Sequence, residues 1–155
     1  MLSQLLTDAR NVELLKLLLA DPRMSVSELA RRLHVSAPTV RERLVRLEER
    51  GVIRRFVVEL DPEALGLPVT VFIRIRPMSG QLGRIIELAQ ALPQVSECHR
   101  ITGEDCFILK AHLAKLERLD ELLDRFLAYG QTTTSIVQSS PVPARGLPLP
   151  DGRVR

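Results

Sequence analysis

Residues 25–55 read SVSELARRLHVSAPTVRERLVRLEERGVIRR, and this stretch decides the fold of the first half of the chain. Apolar residues recur in it at helical spacing in two runs, with a short break between them. Ser25 or Ser27 can cap the first run, although Ser27 would give an imperfect capping box. Ser36 precedes the second run and Pro38 lies in its first turn, where a missing N–H costs nothing. The pattern predicts two helices joined by a short turn.

The second of these helices combines an apolar stripe with a basic surface. Val40, Leu44 and Leu47 recur at i, i+4 and i+7, which places them on one face. Between Arg31 and Arg55 there are eight arginines and three glutamates, a surplus of five positive charges. Such density favours phosphate contact, although a solvated helix with internal ion pairs has the same composition. The residues predicted to face DNA are Ser27, Ser36, Thr39, Arg41, Glu42, Arg43, Arg46 and Arg54.

The flanks of this stretch complete a first domain. Residues 7–20 repeat leucines at three- and four-residue steps, which predicts a helix behind the two DNA-facing helices. Gly51 is expected as a left-handed C-cap, and residues 52–60 alternate as an extended wing strand. Asp61 and Pro62 then stop the strand. We therefore expect a winged helix-turn-helix over residues 1–60 and a linker over residues 61–67.

From residue 68 the pattern changes to strands alternating with helices. Strands are predicted near residues 69–76, 95–101, 107–113 and 132–138, and helices near residues 82–92 and 116–126. The order βαββαβ is that of a ferredoxin-like unit, so the fold class is α+β, with both helices on one side of a four-stranded sheet. The other sheet face also needs a cover, which predicts a homodimer. This second domain is assigned to residues 68–140.

Composition narrows the class of protein. With 155 residues and 45% apolar composition, the chain is long enough for two small cores. No apolar run is long enough to cross a membrane and the N-terminus lacks the features of a secretory signal, so we expect a cytoplasmic protein without a membrane partner. Residues 141–155 contain four prolines and predict a tail that is disordered or lies along the surface.

The two cysteines do not suggest a disulfide or a metal site. Cys98 and His99 are adjacent in a predicted strand and point to opposite faces, which prevents them from converging with Cys106 on a zinc ion. A tight turn at Gly103 would pair Cys106 with Ile101 instead of Cys98. We expect no metal, no disulfide and no cofactor apart from a small effector molecule.

Two polar segments of the second domain, residues 102–105 and 131–135, are candidates for binding a small molecule. Carboxylates beside a glycine turn can hold an ammonium, while N–H groups and a row of hydroxyls can hold a carboxylate, which together describe an amino-acid pocket. An ordinary β-turn with solvated acids and a threonine-rich strand would have the same sequence. The candidate effector-binding residues are Thr102, Gly103, Glu104, Asp105, Gln131, Thr132, Thr133, Thr134 and Ser135.

The chain resembles the Lrp/AsnC (feast/famine) family of prokaryotic transcription regulators over residues 8–140. The resemblance rests on SVSELARRLHVSAPTVRERLVRLEERGVIRRFVVELDP and on the later strings ITGEDCF and YGQTTTSIV, in the same order. It implies double-stranded DNA and an amino-acid-like effector as partners, an effector cleft between subunits, and dimers that assemble into tetramers or octamers. One departure concerns the acids. The family commonly has Asp three residues after the glycine, where this chain has Cys106, so the effector's identity stays open.

Two other function classes remain open on the sequence. Haem-biosynthetic decarboxylases acting on sirohaem share the two-domain architecture and use His and Arg side chains, but His99 is a single candidate general acid without an evident partner. A regulatory amino-acid-binding module would leave the arginine-rich helix without a role. We therefore expect a DNA-binding transcription regulator, not an enzyme, whose DNA affinity or assembly responds to an amino acid or a related small metabolite.

Overall fold

The computed structural model describes residues 4–150 and divides the chain into two compact units. One unit contains the chain up to Val58 together with the segment from Val142 onward, and the other spans Glu59–Pro141. None of the helices in the described part is long and apolar enough to cross a membrane.

The first unit is a small bundle of helices. A 3-10 helix at Gln4–Thr7 leads into α1 (Ala9–Ala20), α2 (Val26–Leu33) and α3 (Ala37–Glu49). Helix α1 begins two residues later than predicted because Asp8 caps it, its carboxylate accepting a hydrogen bond from Arg10 N at 2.8 Å. The three helices pack around a core whose most buried side chains are Leu14, Leu29, Val40 and Leu47.

Local capping fixes both ends of α2. Ser25 is the N-cap, since its Oγ accepts a hydrogen bond from Glu28 N at 3.2 Å. Glu28 is the third residue of the helix, and its carboxylate pairs with Arg31 and Arg32. Ser27 lies inside the helix, so of the two predicted caps Ser25 is correct. At the other end His34 adopts a left-handed conformation with φ of 53°, and Val35 N donates to Ala30 O at 3.0 Å. His34 thus ends the helix in the turn.

Helix α3 ends as predicted, but the wing strand does not form. Gly51 has φ of +67°, and Val52 N donates to Leu47 O at 2.9 Å, a Schellman-type ending. Residues 52–60 form no strand, contrary to the prediction, because they find no strand partner among the described residues. The segment leaves an apolar run exposed, comprising Phe56, Val57, Val58 and Leu60.

The second unit has the predicted ferredoxin-like topology. Its elements are β1 (Val69–Pro77), α4 (Leu82–Ala91), β2 (Val95–Arg100), β3 (Phe107–Leu113), α5 (Arg118–Leu127) and β4 (Gly130–Ile136). The strands are antiparallel in the order β2-β3-β1-β4. Sequence reasoning found every element of this unit, and no predicted end is misplaced by more than two residues. This confirms the α+β class.

Alternation along the strands separates a core face from a polar face. On β1, Val71, Ile73 and Ile75 are fully buried and pack with Ile85 of α4 and Phe126 of α5. The residues between them point to the opposite face, which no helix of this unit covers. We call this the open face. Its members, taken from the strand register, are Thr70, Phe72, Arg74, Arg76, Glu97, His99, Ile108, Lys110, His112, Gln131, Thr133 and Ser135.

The C-terminal segment groups with the first unit and lies along its surface. Leu149 is partly buried against the helical core. Gly146 lies so close to Leu19 that a Cβ at position 146 would come within 2.8 Å of Leu19 Cδ2. Of the two predicted forms of the tail, the surface-lying one therefore describes residues 142–150. The remainder of the predicted tail, residues 151–155, lies outside the described residues.

Candidate functional site

The core positions α3 so that one side of the helix is free. Val40 and Leu47 are fully buried and fix the orientation of the helix. Ser36 caps its N-terminus, accepting a hydrogen bond from Thr39 N at 3.3 Å, and the two hydroxyls lie 2.8 Å apart. The exposed side carries the predicted residues Arg41, Glu42 and Arg46, while Ser27 is exposed on α2 and Arg54 on the segment after α3.

Several basic side chains of this surface form ion pairs, and these pairs are exposed and weak. Arg46 Nη2 lies 2.6 Å from Glu42 Oε1, and both side chains are largely in solvent. Arg31 and Arg32 both pair with Glu28, and their hydrogen bonds lower the pKa of that carboxyl. Exposed pairs of this kind contribute little free energy, so a phosphate can replace the carboxylate at low cost.

Arg43 differs from the rest of the predicted DNA-facing set. Its Nη1 donates to Asp8 Oδ2 and to Asn11 Oδ1, each at 2.6 Å. The Arg43 side chain is only 21% exposed, and its hydrogen bond holds the pKa of Asp8 below its usual value. The structure thus turns Arg43 inward, where it ties α3 to the start of α1. Sequence reasoning missed this because Asp8 and Arg43 are distant in the chain.

The loop between β2 and β3 carries the predicted glycine turn. Gly103 has φ of +109°, a conformation that favours glycine. Ile101 N donates to Cys106 O at 2.8 Å, so Cys106 pairs with Ile101 as predicted, and both cysteines are free. In the strand register Cys98 lies opposite the buried Leu109, which places it on the core face, whereas His99 lies on the open face.

The two acids of this loop are not free, because arginines of β1 hold them. Arg76 Nη2 donates to Glu104 Oε2, and Arg76 Nε lies 4.0 Å from Asp105 Oδ1. Arg74 Nη1 lies 3.7 Å from Asp105 Oδ2. Sequence reasoning did not single out these two arginines. The sequence did contain a clue, since Arg74 and Arg76 are successive outward-facing residues of β1. Like charges on one face of a sheet do not stabilise it, so two of them suggest partners elsewhere in the chain.

The row of hydroxyls on β4 is divided between the two faces of the sheet. Thr132 and Thr134 lie opposite Ile75 and Ile73 in the register and are half-buried on the core face. The other polar residues of the strand lie on the open face beside the arginines of β1. These are Gln131 opposite Arg76, Thr133 opposite Arg74, and Ser135 opposite Phe72. The predicted effector residues therefore do not form one surface: Thr132 and Thr134 lie apart from the remaining set.

Histidines on the open face take part in hydrogen bonds. His112 lies between Thr70 Oγ1 and Ser96 Oγ, at 3.0 and 3.1 Å from its two ring nitrogens. Burial, assisted by the nearby charge of Lys110, lowers the pKa of His112. The Nε2 of His99 lies 3.4 Å from Glu97 Oε2 on the same strand.

A groove of about 430 Å³ lies elsewhere in the second unit, between α4 and β2. Ile86, Ala89, Cys98 and Phe107 are among its lining residues, and none of the predicted effector residues lines it. Within residues 4–150 there is also no group of three or more His, Cys, Asp or Glu side chains arranged to hold a metal ion. The predicted effector residues that share the open face therefore lie apart from this groove.

Comparison with known proteins assigns both units. Residues 7–54 match a winged helix-turn-helix DNA-binding domain, and residues 70–147 match the Lrp/AsnC ligand binding domain. The chain belongs to the Lrp/AsnC family. The HTH-type transcriptional regulator LrpC of Bacillus subtilis is 32% identical to this Lrp/AsnC chain over 132 residues, which cover 85% of this chain and 92% of LrpC. LrpA of Mycobacterium tuberculosis is 33% identical over 113 residues, which cover 72% of this chain and 75% of LrpA.

Solved structures of Lrp/AsnC proteins have the same fold. LrpC of Bacillus subtilis superposes with a TM-score of 0.79 at 31% identity, over 90% of this chain and 96% of LrpC. AsnC of E. coli superposes with a TM-score of 0.80 at 25% identity, over 88% and 95% of the two chains. This Lrp/AsnC chain is thus a DNA-binding transcription regulator with a ligand-binding domain. The decarboxylase alternative is set aside, since the relatives are named transcriptional regulators.

Proposed function

We propose that this protein binds operator DNA in a sequence-specific manner through α3, and that an amino acid or a related small metabolite on the second unit changes that binding. The observation that carries the proposal is the free basic side of α3, opposite the buried Val40 and Leu47. A recognition helix enters the major groove with its N-terminal residues against base edges. In that geometry Thr39, Arg41 and Glu42 face bases or the nearby backbone, and Arg46 and Arg54 face phosphates. Arg43 is largely buried beside this surface, where it pairs with Asp8.

The open face supports assembly with a second copy. It contains Phe72, Ile108 and several paired charges, and no helix of its own unit covers it. The exposed apolar run at Phe56, Val57, Val58 and Leu60 is a further surface that favours a partner chain. A two-fold dimer would carry two recognition helices, so the operator should be a degenerate palindrome with half-sites about one helical turn apart, or a multiple of that. Further assembly into tetramers or octamers belongs to the same proposal.

The effector part of the proposal rests on the polar end of the open face. Gly103, Glu104 and Asp105 lie there, and Gln131 and Thr133 lie beside the arginines that pair with the two acids. Ser135 lies further along β4, opposite Phe72. A second subunit over this surface would close it into a cleft. The relative from Mycobacterium tuberculosis is named a leucine response regulatory protein. A coupling between effector and assembly of about 1–3 kcal/mol is ordinary for such systems.

Replacing Arg41 by Ala tests the assignment of α3. Arg41 is exposed and makes no ion pair with another described residue, so its loss should leave the fold intact. If it reads a base, binding to an operator selected from random DNA should weaken by about 1–3 kcal/mol, and specificity at one position should relax. If it holds a phosphate, the loss should be similar for all sequences and the salt dependence should become shallower.

Arg118→Ala is the matched control for this measurement. It removes the same charge from an exposed arginine of α5, paired with Glu121 in the second unit, and should leave operator affinity unchanged. Titrations at two salt concentrations distinguish the two roles of Arg41. Equal operator affinity of wild type and Arg41→Ala at both salt concentrations would show that α3 does not contact DNA through this residue.

A further inference from the structure

Two kinds of contact hold helix α3 in the first unit. The helix packs closely on α2, whereas its backbone lies farther from α1. Val40 and Leu47 are fully buried and anchor it along one apolar stripe. The neighbouring side of the helix, which we call the polar flank, carries Thr39, Glu42 and Arg46. Arg43 lies at the border between the stripe and this flank.

A cavity of about 280 Å³ lies between the polar flank and the start of α1. Its lining includes Asp8 and Asn11 on one side and Thr39, Glu42, Arg43 and Arg46 on the other. Apolar side chains do not fill this space, so the core gives the flank little support there. A helix that is anchored along one stripe can rotate slightly about that stripe, and its side chains far from the stripe then move most.

Arg43 spans this gap with a network of hydrogen bonds. Its Nη1 donates to Asp8 Oδ2 and to Asn11 Oδ1, each at 2.6 Å. Asn11 is only 4% exposed, and its Nδ2 donates to Leu5 O at 2.9 Å. The network therefore joins α3 to α1 and to the 3-10 helix that precedes α1.

The network has a stronger effect on orientation than on stability. Replacing a buried ion pair with well-packed apolar side chains is often neutral or stabilising, so stability alone does not explain polar groups at this position. A hydrogen bond requires a narrow range of distances and angles, whereas apolar contacts are non-directional. Base reading depends on such precision, because a side chain that recognises a base with two hydrogen bonds needs both of them aligned.

We propose that Asn11 and Arg43 are positioning residues for base reading. They fix the rotation of α3 about its apolar stripe, and they thereby set how well the protein distinguishes its operator from other DNA. Neither residue needs to touch a base for this effect. Binding to DNA of any sequence depends on charge near the phosphates, which the exposed arginines supply at any small rotation. The inference rests on the proposed function above, because it specifies what determines the specificity of the same helix.

The test compares two affinities of the full chain at one salt concentration, one for the selected operator and one for random-sequence DNA of the same length. Their ratio does not depend on the folded fraction, since unfolded protein lowers both apparent affinities equally. Asn11→Leu keeps the size of the side chain and removes the hydrogen bonds of its amide. Its affinity ratio should fall about tenfold, roughly the discrimination of one base contact, because operator binding weakens while binding to random DNA does not.

Three further variants separate positioning from structural support. Arg43→Met removes the donor and should lower the affinity ratio at least as much as Asn11→Leu. Arg43→Lys keeps a cationic donor without the planar guanidinium and should recover part of the loss. Leu18→Ala is the matched control, because it removes a buried side chain of α1 outside the network. It should make the unit less stable and leave the affinity ratio unchanged.

A wild-type affinity ratio in both Asn11→Leu and Arg43→Met would overturn this inference and leave the proposed function intact. A ratio that falls as much in Leu18→Ala would also overturn it, because a general loosening of the unit would then explain the effect. If wild type binds no selected DNA more tightly than random DNA, the proposed function fails, and this inference fails with it.

Discussion

Leu47→Ala should lower the free energy of unfolding of the helix-turn-helix unit by about 2–5 kcal/mol, the range for removing a large aliphatic side chain from a packed core. Leu47 is fully buried in the core that joins α3 to α1 and α2, and its carbonyl also accepts the hydrogen bond that ends α3. Because a small unit has only a few kcal/mol of stability in total, operator binding should be lost as well. Chemical denaturation followed by circular dichroism, together with a DNA titration, measures both effects.

Val45→Ala is the control for this prediction. Val45 is on the same helix but is 51% exposed, so its truncation should change the unfolding free energy by less than about 0.5 kcal/mol. The chain has two compact units, so the denaturation curve should be fitted for two transitions, of which only one should move. A Leu47→Ala protein as stable as Val45→Ala would mean that α3 is not anchored as described.

Gly130→Ala should have the second large effect, this time on the sheet. Gly130 is buried at the start of β4, where a Cβ would come within 2.6 Å of Arg76 O and 3.1 Å of Ile75 Cγ2. The closest atom belongs to the backbone, so the two strands must separate at the end of β1 that carries Arg76. We expect the sheet unit to lose about 1–3 kcal/mol of stability, as overpacked sites do. Amino-acid binding should weaken with it.

Gly83→Ala provides the comparison, since position 83 lies in α4 and a Cβ there meets no atom within 4 Å. This change should leave the sheet unit unaltered or make it more stable by up to about 1 kcal/mol, because alanine favours a helix. Thermal unfolding and calorimetry of the two variants decide the point. If both glycine variants melt and bind alike, the close approach of β4 to β1 at Gly130 does not support the sheet.

Local sequence signals predicted most of the fold correctly. Ser36 and Gly51 marked the ends of α3, and alternation along β1 and β3 found the core of the sheet, since helix caps and strand periodicity depend on near neighbours in the chain. Residues 52–60 failed as a strand because a strand needs a partner, and alternation alone does not supply one. Sequence spacing left both Ser25 and Ser27 as possible N-caps, and the backbone N–H of Glu28 donates to Ser25 Oγ.

The candidate sites were predictable in part, and the errors arose from contacts between distant residues. Composition and helical spacing identified the basic face of α3, but they did not reveal that Arg43 pairs with Asp8, which lies 35 residues earlier. On β4 the sequence YGQTTTSIV suggested a continuous row of hydroxyls, which the register divides between two faces. Arg76 was not singled out because its partner Glu104 lies 28 residues later in the chain.

The most direct test of the central claim begins with selection of operator DNA from a random pool. The selected DNA is then titrated with protein in the presence and absence of each of the twenty amino acids. The account predicts enrichment of a degenerate palindrome, and at least one amino acid that shifts its affinity about five- to 150-fold, the range of an ordinary allosteric coupling. Enrichment of no sequence above non-specific binding, or an operator affinity that no amino acid changes, would contradict it.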